Sequence, residues 1–151
     1  MQNELLEMQE RARQLKATGD TAGALRIRKQ LEEGLSWCGA EPLVQANNLN
    51  QIAFLEMCAR NLAGAERAAR RCLEIYSPVA REVAERIATY KWMLAGVLAE
   101  SQKFEEASRM AGEAIEIFAK NHGYDDGFVV DRRTDLEAMR NGQVREYIDV
   151  S

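Results

Sequence analysis

Ser101-Gln-Lys-Phe-Glu-Glu-Ala107-Ser108 is the third appearance of a short pattern that decides the fold. Its earlier forms are Thr18-Gly-Asp-Thr-Ala-Gly-Ala24-Leu25 and Ala59-Arg-Asn-Leu-Ala-Gly-Ala65-Glu66. Each sets a polar turn ahead of an alanine that begins an apolar helical stripe, and Ala24, Ala65 and Ala107 are almost evenly spaced. Regular spacing of this kind marks a chain built from stacked copies of one supersecondary unit. After each alanine, apolar residues return near i+3, i+4, i+7 and i+8. They are Ile27, Leu31 and Leu35, then Ala68, Ala69, Cys72 and Leu73, then Met110, Ala111, Ala114 and Ile115. Such periodicity predicts one-sided helices.

A second helical pattern precedes each turn. Its stripes are Leu5, Met8, Ala12 and Leu15, then Leu49, Ile52, Ala53 and Leu55, then Leu94, Ala95 and Leu98. Ala12, Ala53 and Ala95 precede Ala24, Ala65 and Ala107 by one and the same interval, so each helix pair can close where neither helix has bulk. Glu41-Pro42 and Ser77-Pro78 read as starts of the first helices of the second and third pairs, because proline is tolerated in a first turn.

These residues resemble a tetratricopeptide repeat protein. The family pattern of a bulky residue, Leu and a small residue, a turn, then Ala and an aromatic is matched most fully by Trp92, Leu94, Ala95, Phe104, Ala107, Ala111 and Ala114. Leu49, Ile52, Ala53, Leu62, Ala65 and Cys72 carry it in the second unit, with Pro78 after its end, and Ala12, Gly19, Asp20 and Ala24 in the first. The period of about 42 residues departs from the family's usual 34. The excess is roughly two helical turns, as in the long-helix variety to which kinesin light chain repeats belong. The resemblance implies an all-α, right-handed superhelix of three antiparallel helix pairs, at about 2–39, 42–77 and 78–121. Residues 122–151 follow as a loop and a capping helix or tail. Asp131 to Arg140 reads as that short helix, stopped by Asn141-Gly142, and covering the open end of a stack is its expected role.

Composition sets further bounds. Of 151 residues, 46% are hydrophobic and 29% charged, as in a folded soluble domain. Twenty Lys and Arg against 24 Asp and Glu leave a formal charge of −4, too mixed for a general polyanion binder. Acids near the amino terminus and the absence of a following apolar stretch predict no export signal. The longest apolar run, Met93 to Ala99, is far short of the roughly 20 residues that span a bilayer, so no membrane insertion is expected. Cys38, Cys58 and Cys72 lie outside any CxxC spacing, which predicts neither disulfides nor a zinc site and fits a reducing cytoplasm.

Catalytic patterns are absent. His122 is the single histidine, in a loop by composition, and no GxSxG, HExxH, GxxxxGK or GxGxxG motif occurs. Asp125, Asp126 and Asp131 lack the spacing of a calcium loop. The chain is expected to be no enzyme, with no cofactor and no metal. Arg67, Arg70 and Arg71 share a helix face, with Arg60 upstream, but Glu66 and Glu74 balance them. No aromatics interleave as single-strand binding requires, so nucleic acid is not expected.

In the family that the chain resembles, the first helix of each pair lines a concave groove. Residues there that do not join the apolar stripe are Gln9, Arg13 and Lys16, then Asn47, Asn50, Gln51, Phe54, Met57 and Cys58, then Thr89, Trp92, Met93 and Glu100. Phe54, Met57, Trp92 and Met93 would anchor a partner's side chains, and Asn47, Asn50 and Gln51 would bond its backbone. Trp92 serves equally well as core. Family cochaperones that hold an acidic carboxyl-terminal tail use Lys, Asn and Arg at fixed groove places, where this chain has Gln9, Arg13, Gln51, Thr89 and Met93. Only Arg13 can grip a carboxylate, so that tail is not the expected ligand. The expected function is a non-catalytic adaptor or scaffold binding another protein or a peptide. The alternatives are a structural subunit that self-associates through its first repeat as a homodimer, and a small secretion-type chaperone.

Overall fold

The computed structural model describes residues 2–37, 39–75 and 84–143. Seven helices fill them: α1 (Gln2–Ala17), α2 (Thr21–Trp37), α3 (Pro42–Cys58), α4 (Leu62–Ile75), α5 (Ala84–Glu100), α6 (Phe104–His122) and α7 (Gly127–Arg140). No strand occurs among the described residues. The chain divides into two compact units, Met1–Tyr76 with α1 to α4 and Ser77–Ser151 with α5 to α7. In unit 1, α1 packs on α2, α2 on α3 and α3 on α4; in unit 2, α5 packs on α6 and α6 on α7.

The turns inside the pairs share one hydrogen-bond pattern. After α1, the Asp20 N–H donates to the Leu15 carbonyl at 2.8 Å and the Gly19 N–H to Lys16 at 3.1 Å. After α3, Asn61 donates to Glu56 at 2.9 Å and Arg60 to Met57 at 3.0 Å. After α5, Lys103 donates to Leu98 at 2.8 Å and Gln102 to Ala99 at 3.0 Å. This is the Schellman ending, which needs one residue with positive φ. Gly19 (+86°), Arg60 (+64°) and Gln102 (+63°) supply it. A fourth copy closes α7, where Gln143 donates to Ala138 at 2.8 Å, Gly142 to Met139 at 3.0 Å, and Gly142 has φ +70°. These four positions are nearly evenly spaced along the chain; Gly39 (+66°) and Gly123 (+91°) are left-handed as well, and after α2 the Ala40 N–H donates to the Leu35 carbonyl at 3.0 Å around Gly39.

Beyond each of the first three turns the next helix starts alike, with the N–H of Ala24, Ala65 and Ala107 donating four residues back at 3.0 Å. Asp20 and Asn61 add side-chain caps, accepting from Gly23 at 2.9 Å and Gly64 at 3.2 Å. All six pair alanines, Ala12, Ala24, Ala53, Ala65, Ala95 and Ala107, are buried. Small side chains at these points let the helix backbones approach. Around them in unit 1, Ile27, Leu31 and Leu35 of α2 pack with Leu5, Met8 and Leu15 of α1.

α3 begins at Pro42 behind Glu41, where the missing N–H of proline costs nothing. Ser77 and Pro78 lie outside the described residues, as do Cys38 and residues 144–151. α7 departs from the sequence reading. It starts at Gly127, four residues ahead of Asp131, because the Asp126 carboxylate accepts from the Phe128 N–H at 3.0 Å and caps the helix. Aspartate is among the best N-caps.

Candidate functional site

In unit 1, α1 and α3 are first helices of consecutive pairs, and their side chains meet. Lys16 Nζ donates to Gln51 Oε1 at 2.9 Å and lies 4.6 Å from the centre of the Phe54 ring. The lysine stem crosses from one helix to the other with its ammonium over an aromatic face, a favourable placement for a cation. On α3, Val44, Asn47, Gln51 and Phe54 fall at i, i+3, i+7 and i+10 and so share a side of the helix. On α1, Leu6, Glu10 and Arg13 do the same. Leu6 is 62% exposed and Val44 36%. Asn47, Gln51 and Phe54 are half-buried. Arg13 is exposed and pairs with Glu10 at 2.9 Å.

Two candidate residues of α3 sit deeper. Asn50 is buried, with no hydrogen-bond partner for its Oδ1, and Met57 is 5% exposed. The expectation that both stand open in a groove is corrected: they are interior side chains. Their neighbour Asn48 is also buried, donating to the Arg28 carbonyl at 2.9 Å and to Glu32 Oε2 at 3.0 Å, while Arg28 Nη1 donates to Asn48 Oδ1 at 3.3 Å. Arg28 comes from α2. Burial, and then the nearby positive charge of Arg13, hold its guanidinium below its ordinary pKa. Three cations, Arg13, Lys16 and Arg28, therefore come from this part of unit 1.

Another buried group sits at the turn of the second pair. Glu56, 4% exposed, accepts from Asn61 Nδ2 at 2.6 Å and meets Lys29 Nζ at 3.4 Å. Gly64 leaves room for it, since a Cβ there would run into the Glu56 and Asn61 side chains.

Unit 2 treats its candidates differently. Trp92 is 2% exposed and Met93 wholly buried, so neither offers an open anchor. The reason for Trp92 is α7: the guanidinium of Arg132 lies 5.0 Å from the Trp92 ring and 4.4 Å from Phe128. Phe128 in turn packs edge-on against Phe118 at 5.0 Å. Arg132 is itself buried, with its Nε unpartnered and Asp135 at 3.6 Å. Glu100 is half-buried at the end of α5.

The chemistry of the remaining reactive groups is modest. His122 ends α6 and meets the Glu85 carboxylate, whose hydrogen bond and charge raise its pKa, yet it stays exposed. Cys72 is buried and donates to the Ala46 carbonyl at 3.2 Å. Burial, and then the charge of Glu32, push its thiol up, away from the thiolate form that reacts. The arginine stripe of α4 is tied within its own helix, Arg70 to Glu66 at 3.0 Å and Arg71 to Glu74 at 3.4 Å. No described helix is long and apolar enough to cross a membrane.

Arg28, Arg132, Leu6 and Val44 were not legible as site residues. Arg28 and Arg132 lie beside stripe positions, Ile27 and Leu136, and only tertiary packing reveals what each faces. No protein-family model matches the chain, and no curated protein matches it either.

Proposed function

We propose that the chain is a non-catalytic protein-binding module, an array of helix pairs of the long tetratricopeptide-like kind that uses its first helices to hold a peptide segment. One observation carries this reading: Lys16 joins α1 to α3 through Gln51 and Phe54, giving consecutive first helices a common face with exposed apolar, amide and cationic groups. The recurrence of one turn geometry at Gly19, Arg60, Gln102 and Gly142 supports the repeat. In this reading α7 occupies a first-helix place and ends the array. Asp135 stands seven residues before Gly142, where Ala12, Ala53 and Ala95 stand before the other turns, so close pairing with a further helix is not favoured there.

The test is Phe54→Ala. As a partly exposed anchor, its loss weakens partner recovery by about 2 kcal/mol, some 30-fold, while folding stability falls by about 1 kcal/mol. Pulldown with the tagged chain and a denaturant melt measure the two effects. Unchanged recovery per folded molecule overturns the proposal. Light scattering separates the alternative: a dimer at every concentration, broken by Phe54→Ala, makes the face a self-association surface.

A further inference from the structure

We infer that the cavity between α2 and the end of α3 in unit 1 takes a free tripeptide, with its carboxylate at Arg26, its ammonium at Glu33 and an apolar side chain between them. The inference goes beyond the binding-module reading and does not use the face of Lys16, Gln51 and Phe54. The cavity has a volume of about 610 Å³, in the range of small-ligand sites. Ala22, Leu25 and Ala59 supply its apolar lining. Its charged lining is ordered along α2. Ala22, Arg26, Lys29 and Glu33 fall at i, i+4, i+7 and i+11 and so share one stripe of the helix, and the three charged side chains are exposed.

The charges set the class of ligand. Lys29 already meets the buried Glu56 at 3.4 Å. Two further acids of this region are engaged as well, Asp20 with the Gly23 N–H at 2.9 Å and Glu32 with Asn48 at 3.0 Å. Arg26 and Glu33 remain as opposite charges, neither of them in an ion pair among the described residues. They stand two turns apart, about 10 Å along the axis. A purely anionic ligand would be repelled by Glu33 and a purely cationic one by Arg26, whereas a dipolar ligand gains a charge-assisted bond at each end. Three residues of extended chain span about 10 Å, so the two ends of a free tripeptide match this separation. Its middle side chain then comes opposite the apolar lining, and Gln30, between the two charges, can both donate to and accept from its backbone.

Cys58 lines the same cavity as an exposed thiol outside any disulfide, so its alkylation by iodoacetamide reports occupancy. The experiment follows that rate for Cys58 alone, by mass spectrometry of the digested full chain. The free tripeptide Ala-Leu-Ala at millimolar concentration should slow the reaction at least threefold. N-acetyl-Ala-Leu-Ala and the carboxyl-terminal amide of Ala-Leu-Ala should each leave the rate unchanged. The variant R26A/E33A, with its melting temperature measured to show that it folds, should react equally fast with and without Ala-Leu-Ala. Protection that survives the blocking of either end, or that persists in the folded variant, overturns the inference. So does an unprotected Cys58 in the parent chain. Each of these results leaves the binding-module reading in place, because Phe54→Ala tests that reading by itself.

Discussion

Ten residues before the left-handed residue of its turn, α3 carries Asn50 and α5 carries Trp92; nine before, they carry Gln51 and Met93; four before, Glu56 and Leu98. The backbone places are the same and the burial is similarly deep at the first and last of these pairs. The chemistry differs throughout. α5 is buried continuously from Trp92 to Ala99, as befits a helix apolar on every side. α3 interleaves buried amides and a buried carboxylate with half-exposed Asn47, Gln51 and Phe54. Turns and alanines are thus shared between the two units, while the faces of the first helices diverge. Architecture resides in the first set, and the difference in chemistry between the units in the second.

The comparison breaks most sharply at its aromatic residues. Trp92→Ala should cost about 3 to 5 kcal/mol, by lost transfer energy and by the cavity it leaves under Arg132. That exceeds the cost of Phe54→Ala several-fold. Urea melts of the two variants check this, and equal midpoints would mean that α3 and α5 are covered alike.

A smaller effect tests what the units have in common. Arg60 and Gln102 hold positive φ without being glycine, a conformation that costs about 1 kcal/mol or more for a residue with a Cβ. Arg60→Gly in unit 1 and Gln102→Gly in unit 2 should each raise stability by about 0.5 to 1 kcal/mol, net of the extra freedom glycine gives the unfolded chain. Gly19→Ala should lower it by about 1 kcal/mol. Opposite signs for Arg60→Gly and Gln102→Gly would show that the two turns are not equivalent.

The smallest effect belongs to unit 2 alone. His122 is exposed and its pKa is raised by Glu85. Its contact therefore contributes fully below about pH 6.5 and is lost as pH rises through the raised value. An NMR titration should find the His122 midpoint above 6.5 and return it towards 6.5 in Glu85→Gln. A midpoint unmoved by that substitution would assign the shift to something else.

The helices were legible because alanine and polar-turn patterns are local, and the start at Pro42 follows from proline's own geometry. The start of α7 was not, since Gly127, Val129 and Val130 look unlike a helix and the Asp126 cap outweighs them. Which first-helix residues are open was still less visible. Periodicity at Trp92 gives its side of the helix, but the side chain covering it is Arg132, far along the sequence. Asn50 and Met57 look like groove residues by chemistry and are buried by packing.

Across the four turns the left-handed position is occupied by Gly, Arg, Gln and Gly, while the backbone bonds around it stay the same. The joint is defined by its wiring and tolerates a change of letters. Thr18-Gly19-Asp20, Ala59-Arg60-Asn61 and Ser101-Gln102-Lys103 therefore share a backbone joint and differ in what their side chains add: Asp20 and Asn61 cap the next helix, Asn61 also holds the buried Glu56, and Lys103 adds no side-chain cap. Exchanging only the left-handed residue changes the strain stored in such a joint while the backbone bonds that start the next helix stay in place, so each joint can be tuned by one letter.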